Sequence, residues 1–204
     1  MTTRLVLASS SPYRRELLQR LRLPFVCDSP HIDETPLPGE DVISLTRRLA
    51  LAKARAVAAR HPGALIIGSD QACVRDDNPA PIGKPGDFAT ALQQLQACSG
   101  RRVSFHTALV LLDSTTGLHQ SADDVFAVVF RNLREREIRR YLELEEPYDC
   151  AGSFKAEALG ITLFAAMEGR DFHSLIGLPL ISLCDLLRQA GMDPLQPASN
   201  ASVV

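Results

Sequence analysis

Paired metal ligands are missing from this sequence. Its five cysteines, Cys27, Cys73, Cys98, Cys150 and Cys184, stand singly with no CxxC pair, and its five histidines form no HxH or HExxH pattern. A zinc site and a histidine-ligated metallohydrolase are therefore not expected. The odd cysteine count, with no basic leader running into an apolar stretch, points to reduced, mostly buried thiols in a cytoplasmic protein. No apolar run comes near the roughly 18 residues of a membrane helix, so no membrane partner is expected. Neither GxxxxGK[ST] nor GxGxxG occurs, which removes the P-loop and the dinucleotide-binding turn. Aromatic residues make up only 5% of the chain and the formal charge is -2. That is too little stacking surface and too little positive field for direct binding of nucleic acid. Any anion site must be local.

What is present suits a compact globular protein. The 204 residues are 46% hydrophobic, enough to bury one sizeable core, or two lobes sharing a cleft, without disulfides or metal. No repeat, low-complexity tract or linker divides the chain; the expectation is a single domain over residues 1–195 and a disordered tail over 196–204. Apolar runs at Arg4–Ala8, Phe25–Cys27, Ala64–Ile67, Val103–Leu112, Asp124–Phe130 and Ile161–Ala165 read as strands, with a further arm at Gln71–Val74. Helical spacing runs through Tyr13–Arg22, Ser44–Arg60, Phe88–Cys98, Glu135–Glu143 and Leu178–Arg188. Ser11 as N-cap and Pro12 as first residue open the earliest of these. Asp28–Gly39 is too broken by proline and acid for regular structure. Alternating strands and helices make the fold class α/β.

Several groups could carry chemistry. In Ser9-Ser10-Ser11-Pro12-Tyr13-Arg14-Arg15, hydroxyls, helix N-terminal amides and two guanidiniums meet within one turn, a pattern suited to an anion. A plain capped surface helix explains the same residues equally well. Asp70, just past an apolar strand, could hold a divalent cation or deprotonate a water, or simply shape a turn. Lys53 sits among Leu49, Ala52 and Ala56, so it must snorkel or enter a cleft. Lys84 and Lys155 stand in glycine-containing turns, and Asp33-Glu34 offers oxygen ligands to a cation carried by a polyphosphate.

Together these segments resemble the Maf family: Leu7-Ala8-Ser9-Ser10-Ser11-Pro12 with Arg14-Arg15, then Asp33-Glu34, Lys53-Ala54, Gly68-Ser69-Asp70-Gln71, Gly83-Lys84-Pro85 and Gly177-Leu178-Pro179. The resemblance implies an elongated mixed-sheet α/β fold of the Maf and ITPase-like kind, with two lobes flanking a nucleotide cleft. It also implies hydrolysis of a nucleoside triphosphate to a monophosphate and pyrophosphate, a divalent cation (magnesium or manganese), and commonly a homodimer. On that basis Asp70 would be the catalytic proton acceptor, and Ser9, Arg14, Arg15, Lys53 and Lys84 would bind the phosphates. Glu34 and Asp70 would hold the metal. Gly68-Ser69-Asp70-Gln71 and Cys150-Ala151-Gly152-Ser153-Phe154-Lys155-Ala156-Glu157 look like the branch acting on 7-methyl-GTP, in which Tyr13, Gln71 and Lys155 would set specificity. Tyr13 stands where tryptophan is expected. The alternatives are the dTTP/UTP reaction of the sister branch and a nucleotide-dependent regulator of septum formation acting through a protein partner.

Overall fold

The computed structural model describes residues 4–196; the tail expected from Gln196 onward lies outside them, apart from Gln196 itself. Seven strands form one mixed sheet: β1 (Arg4–Ala8), β2 (Phe25–Asp28), β3 (Ala64–Arg75), β4 (Asn78–Ile82), β5 (Arg102–Asp113), β6 (His119–Phe130) and β7 (Phe164–Gly169). Their order is β2-β1-β3-β5-β6-β7, with β4 paired to β3. β1 runs parallel to β2 and to the first part of β3, and the remaining pairs are antiparallel. The α/β class is as expected.

The long strand β3 organises the molecule. It pairs with β5 along its whole length, from Leu65 opposite Asp113 to Arg75 opposite Val103. On its other edge β1 stops at the Leu7–Ile67 pair, whereas β4 begins at Cys73. Residues 68–72 are thus left without a strand on that side, and Asp70 sits in the middle of the gap. The sequence suggested a strand break at Gly68–Asp70; the chain instead continues as one strand, because β5 supplies an unbroken partner.

Three apolar clusters cover the sheet. Helices α1 (Pro12–Gln19) and α6 (Leu180–Gln189) lay Leu17, Leu18, Leu183 and Leu187 on one face, over Leu5, Leu7, Ile67 and Leu109. Helix α2 (Val42–Ala58) covers the opposite face with Ala50, Ala54 and Val57 against Val6, Ile66 and Val110. Complete burial of one such leucine or valine contributes roughly 1.5–3 kcal/mol. Farther along, α3 (Phe88–Cys98) and α4 (Glu135–Glu145) pack Leu95, Ile138 and Leu142 against Phe105, Phe126 and Phe130.

Three elements depart from the sequence reading, as does the exposure of the cysteines. β4 was missed because its Asn-Pro-Ala-Pro run looks like a turn; it survives as an edge strand, where proline is tolerated. Ile161–Ala165 is a 3-10 turn followed by β7, since pairing with β6 begins only at Phe164. The helix expected over Leu178–Arg188 is α6, and ahead of it, across Gly177 at φ 116°, stands a short helix that the sequence reading did not include, α5 (Phe172–Ile176). Cys73 and Cys98 are buried, but Cys150 and Cys184 are only half-buried and Cys27 is exposed; all five are free thiols. No helix among the described residues is long and apolar enough to cross a membrane.

Candidate active site

The gap beside β3 opens into a cleft of about 340 Å³. Its walls are the Ser9–Arg14 turn, α2 through Lys53, the strand residues Asp70 and Gln71, the β4–α3 loop through Lys84, and the segment around Asp149–Phe154. The position of Lys53 has a steric cause. A Cβ on Gly68 would lie 2.2 Å from the Ala50 carbonyl oxygen and 3.0 Å from the Ala54 Cβ, so α2 can approach β3 this closely only over glycine. Lys53 shares a helix face with Ala50, Ala54 and Val57 and is carried down onto Asp70, one strand repeat beyond Gly68.

Lys53 Nζ donates to Asp70 Oδ1 at 2.5 Å and meets Glu34 Oε1 at 2.9 Å. The Lys53 and Asp70 side chains are only 6% and 9% exposed, while Glu34 is 57% exposed. Burial pushes the Asp70 carboxyl above the ordinary carboxylate value; Lys53 and Arg14 pull it down, and Glu34 adds to the rise. A carboxylate moved toward neutrality in this way is a better proton acceptor than a solvated one.

The serine turn adds hydrogen-bond donors. Ser9 Oγ accepts from Ser11 N at 3.1 Å, and Ser11 Oγ accepts from Arg14 N at 3.4 Å. Neither hydroxyl donates to another described residue, so both O–H groups remain for a ligand. Arg14 Nε donates to the Gly177 carbonyl at 2.7 Å, an oxygen that also accepts from Ser69 Oγ at 3.0 Å. The Nη groups of Arg14 have no partner among the described residues, and Arg14 lines the cleft. Burial lowers the Arg14 pKa from its ordinary value, with Asp70 and Glu34 opposing the change.

Of the residues singled out by sequence, Ser9, Tyr13, Arg14, Glu34, Lys53, Asp70, Gln71 and Lys84 line this one cleft. Arg15 is exposed on α1 and outside the lining. Lys155 is turned away: its Nζ donates to the Glu145 carbonyl at 2.9 Å and lies 3.5 Å from Glu145 Oε1. Asp33 accepts from Thr35 N within its own loop. Sequence reasoning assigns no role to Asp149, whose Oδ2 accepts from Tyr13 OH at 3.2 Å, or to Thr107 on β5. Only their fold neighbours reveal them, since neither belongs to a spaced motif. Burial pushes the Cys150 thiol up to about 11, which keeps it protonated and unsuited to nucleophilic attack.

Whether a divalent cation fits can be judged from the donors. Among the described residues no three His, Cys, Asp or Glu side chains cluster for a metal. Two carboxylates, Asp70 and Glu34, do converge on Lys53 Nζ. This donor set fits magnesium or manganese carried in by phosphate oxygens and water, and does not form an all-protein cage.

A family model described as Maf-like protein matches residues 4–190. A protein of Chromohalobacter salexigens named 7-methyl-GTP pyrophosphatase is 54% identical over 193 residues, 95% of this chain and 99% of its own. A protein of Cupriavidus metallidurans with the same name is 57% identical over 187 residues, covering 92% and 93%. Among solved structures, a nucleoside-triphosphatase (dITP/XTP pyrophosphatase) of Mycobacterium abscessus is similar at TM-score 0.43 and 21% identity, over 64% of this chain and 76% of that one.

Proposed function

Because the chain belongs to the Maf-like protein family, we propose that it hydrolyses 7-methyl-GTP to 7-methyl-GMP and pyrophosphate, keeping a modified nucleotide out of nucleic acid. The observation that carries this reading is the buried Asp70–Lys53 pair, with the exposed Glu34 on the same ammonium, facing the free donors of Ser9, Ser11 and Arg14 across one cleft. The curated relatives named above supply the substrate.

The residues divide the work by chemistry. Hydrolysis breaks the bridge between the α- and β-phosphorus, and the attacking water must lose a proton. Asp70, raised by burial, accepts it. Lys53 holds the carboxylate oriented and offsets its charge. Arg14, with Nε anchored on Gly177, offers its Nη fork to phosphate oxygens. Lys84 can reach the same polyanion from the β4–α3 loop. Arg15, exposed on α1, is no more than an outer contribution to this field. A divalent cation held by Asp70 and Glu34 would offset charge developing on the phosphates. Recognition of the base falls to Tyr13 and Gln71. Lys155, tied to Glu145, serves specificity only by fixing the segment that follows Phe154.

The test is a panel of 7-methyl-GTP, GTP, UTP and dTTP scored by pyrophosphate release. We expect 7-methyl-GTP to have the highest kcat/KM. Preference for UTP or dTTP would move the chain to the sister reaction, and binding without any pyrophosphate release would favour a regulatory role.

A further inference from the structure

Gln71 points to the face of β3 opposite Asp70, and its amide is surrounded unequally. Nε2 carries two N–H groups with three acceptors in reach: the Ser174 carbonyl at 2.5 Å, the Leu175 carbonyl at 3.1 Å and Thr107 Oγ1 at 3.0 Å. Thr107 spends its own proton on the Ser174 carbonyl at 3.0 Å, so toward Gln71 it can only accept. Three acceptors around one atom identify that atom as the amide nitrogen; a flipped amide would set oxygen against two carbonyl oxygens. Oε1 has no protein partner. No buried side-chain nitrogen or oxygen among the described residues lacks one, so Oε1 reaches solvent, and the cavity that Gln71 lines is the nucleotide cleft.

The carbonyls come from the end of α5, where a helix leaves its last C=O groups open to partners from outside it. That end is fixed in turn: Ser174 Oγ donates to Asp124 Oδ1 at 2.7 Å, and Asp171 Oδ2 accepts from Ile181 N at 2.8 Å.

We propose that Thr107 is a positioning residue for base selection, locking Gln71 so that only its carbonyl oxygen faces the nucleotide and reads a ring N–H. The inference rests on the nucleotide pyrophosphatase reading above. Guanine and 7-methylguanine offer such a group at N1, and uracil and thymine at N3. Adenine and cytosine offer a bare ring nitrogen, a lone pair facing a lone pair. A site built around one hydrogen-bond partner rejects an analogue that lacks it far better than an apolar pocket does. Methylation at N7 makes the ring cationic and its N–H a stronger donor, so the same oxygen favours the modified base. Pyrimidines that carry an N–H are left to be refused by size.

The variants are Thr107→Val, which keeps the shape and deletes the hydroxyl, and Thr107→Ser, which keeps the hydroxyl. In Thr107→Val the Ser174 carbonyl still accepts from Gly177 N at 3.0 Å and Nε2 still has two carbonyls, so no buried donor is orphaned. The kcat/KM for 7-methyl-GTP, GTP, ATP and CTP, and the calorimetric Kd of their α,β-methylene analogues, are measured on all three proteins. Thr107→Val should lower the preference for 7-methyl-GTP over ATP and CTP by about fivefold, the worth of one neutral hydrogen bond. The change should appear in KM and Kd, not kcat, and Thr107→Ser should restore it. An unchanged preference in folded Thr107→Val overturns the proposal, as does a Thr107→Ser that behaves like it. If the wild type releases no pyrophosphate, the hydrolase reading falls and the Kd ratios alone decide the role of Thr107. A wild type that binds none of the analogues overturns both.

Discussion

The two ends of the sheet are built from different residues and contribute differently to the cleft between them. Around β1 and the first half of β3, the core is leucine, isoleucine, valine and alanine on both faces. Those small and branched side chains, with Gly68, let α2 lie close enough for Lys53 to reach Asp70. Around β6 and β7 the core is phenylalanine: Phe154 packs edge-on against Phe105, Phe130 and Phe164 at centroid distances of 5.5, 5.7 and 4.9 Å. The other sheet face at that end carries a polar network in which Arg102 donates to Asp76 at 2.7 Å and Glu168 at 2.9 Å. The buried Lys53–Asp70 ion pair lies where packing is tight and aliphatic. Phe105 and Phe154 of the aromatic end also line the cleft. Reaction and recognition are separable to the extent that these ends are.

The largest expected effects test that separation directly. Asp70→Asn should lower kcat by about 10²–10⁴, because an amide cannot take the proton of water, while the Asn oxygen still accepts from Lys53 and the urea midpoint moves little. Phe130→Ala, at a ring only 2% exposed, should do the reverse. A loss of about 3–5 kcal/mol is typical for phenylalanine, and at ~2–4 °C per kcal/mol for a chain of this size Tm should fall by roughly 10 °C. Its turnover at low temperature should stay near wild type. If folded Phe130→Ala were as inactive as Asp70→Asn, the two ends would not be separable.

The next test sharpens the account of the charged end. Lys53 and Arg14 lower the Asp70 pKa, whereas burial and Glu34 raise it. Lys53→Met removes a lowering partner and leaves both raising causes in place. The folded-state pKa must then rise further, and the acidic limb of kcat/KM should move to higher pH, with a smaller loss at the alkaline plateau than at neutral pH. A limb that stays in place would mean that another group controls it.

How far the sequence reached differs between the same two ends. Runs such as Arg4–Ala8 and Phe88–Cys98 were legible because periodicity and caps are local signals. The Asp70–Lys53 pair was only half legible: each residue could be named, but their 2.5 Å contact depends on the close approach over Gly68, which no spacing states. The partner of Lys155 was hidden for the same reason. A lysine in a glycine-rich turn looks free until Glu145, ten residues earlier, is seen to hold it. Thr107 was invisible, since a threonine inside a strand carries no signal until α5 folds over it. β4 depends on tertiary pairing and the five-residue α5 is too short to show a period, so both lie beyond a reading of propensity.

The smallest effect belongs to the aromatic side of the cleft and concerns Tyr13. Its ring stands at the start of α1, and its hydroxyl donates to Asp149 Oδ2 at 3.2 Å while accepting from the Cys150 thiol at 3.6 Å. The hydroxyl is thus tethered at the cleft wall, so the ring has a fixed direction. N7 methylation gives guanine a delocalised positive charge, and an aromatic face attracts it by roughly 0.5–2 kcal/mol depending on desolvation. In Tyr13→Ala the ratio of kcat/KM for 7-methyl-GTP over GTP should therefore fall by about two- to thirtyfold. Tyr13→Trp, with a larger and more electron-rich face, should hold or raise it. Tyr13→Phe separates the ring from its tether: it keeps the face but releases Asp149, so a ratio between those of wild type and Tyr13→Ala would assign part of the preference to orientation. A ratio unchanged in Tyr13→Ala would remove the ring from methyl recognition and leave Asp70 and the phosphate contacts untouched.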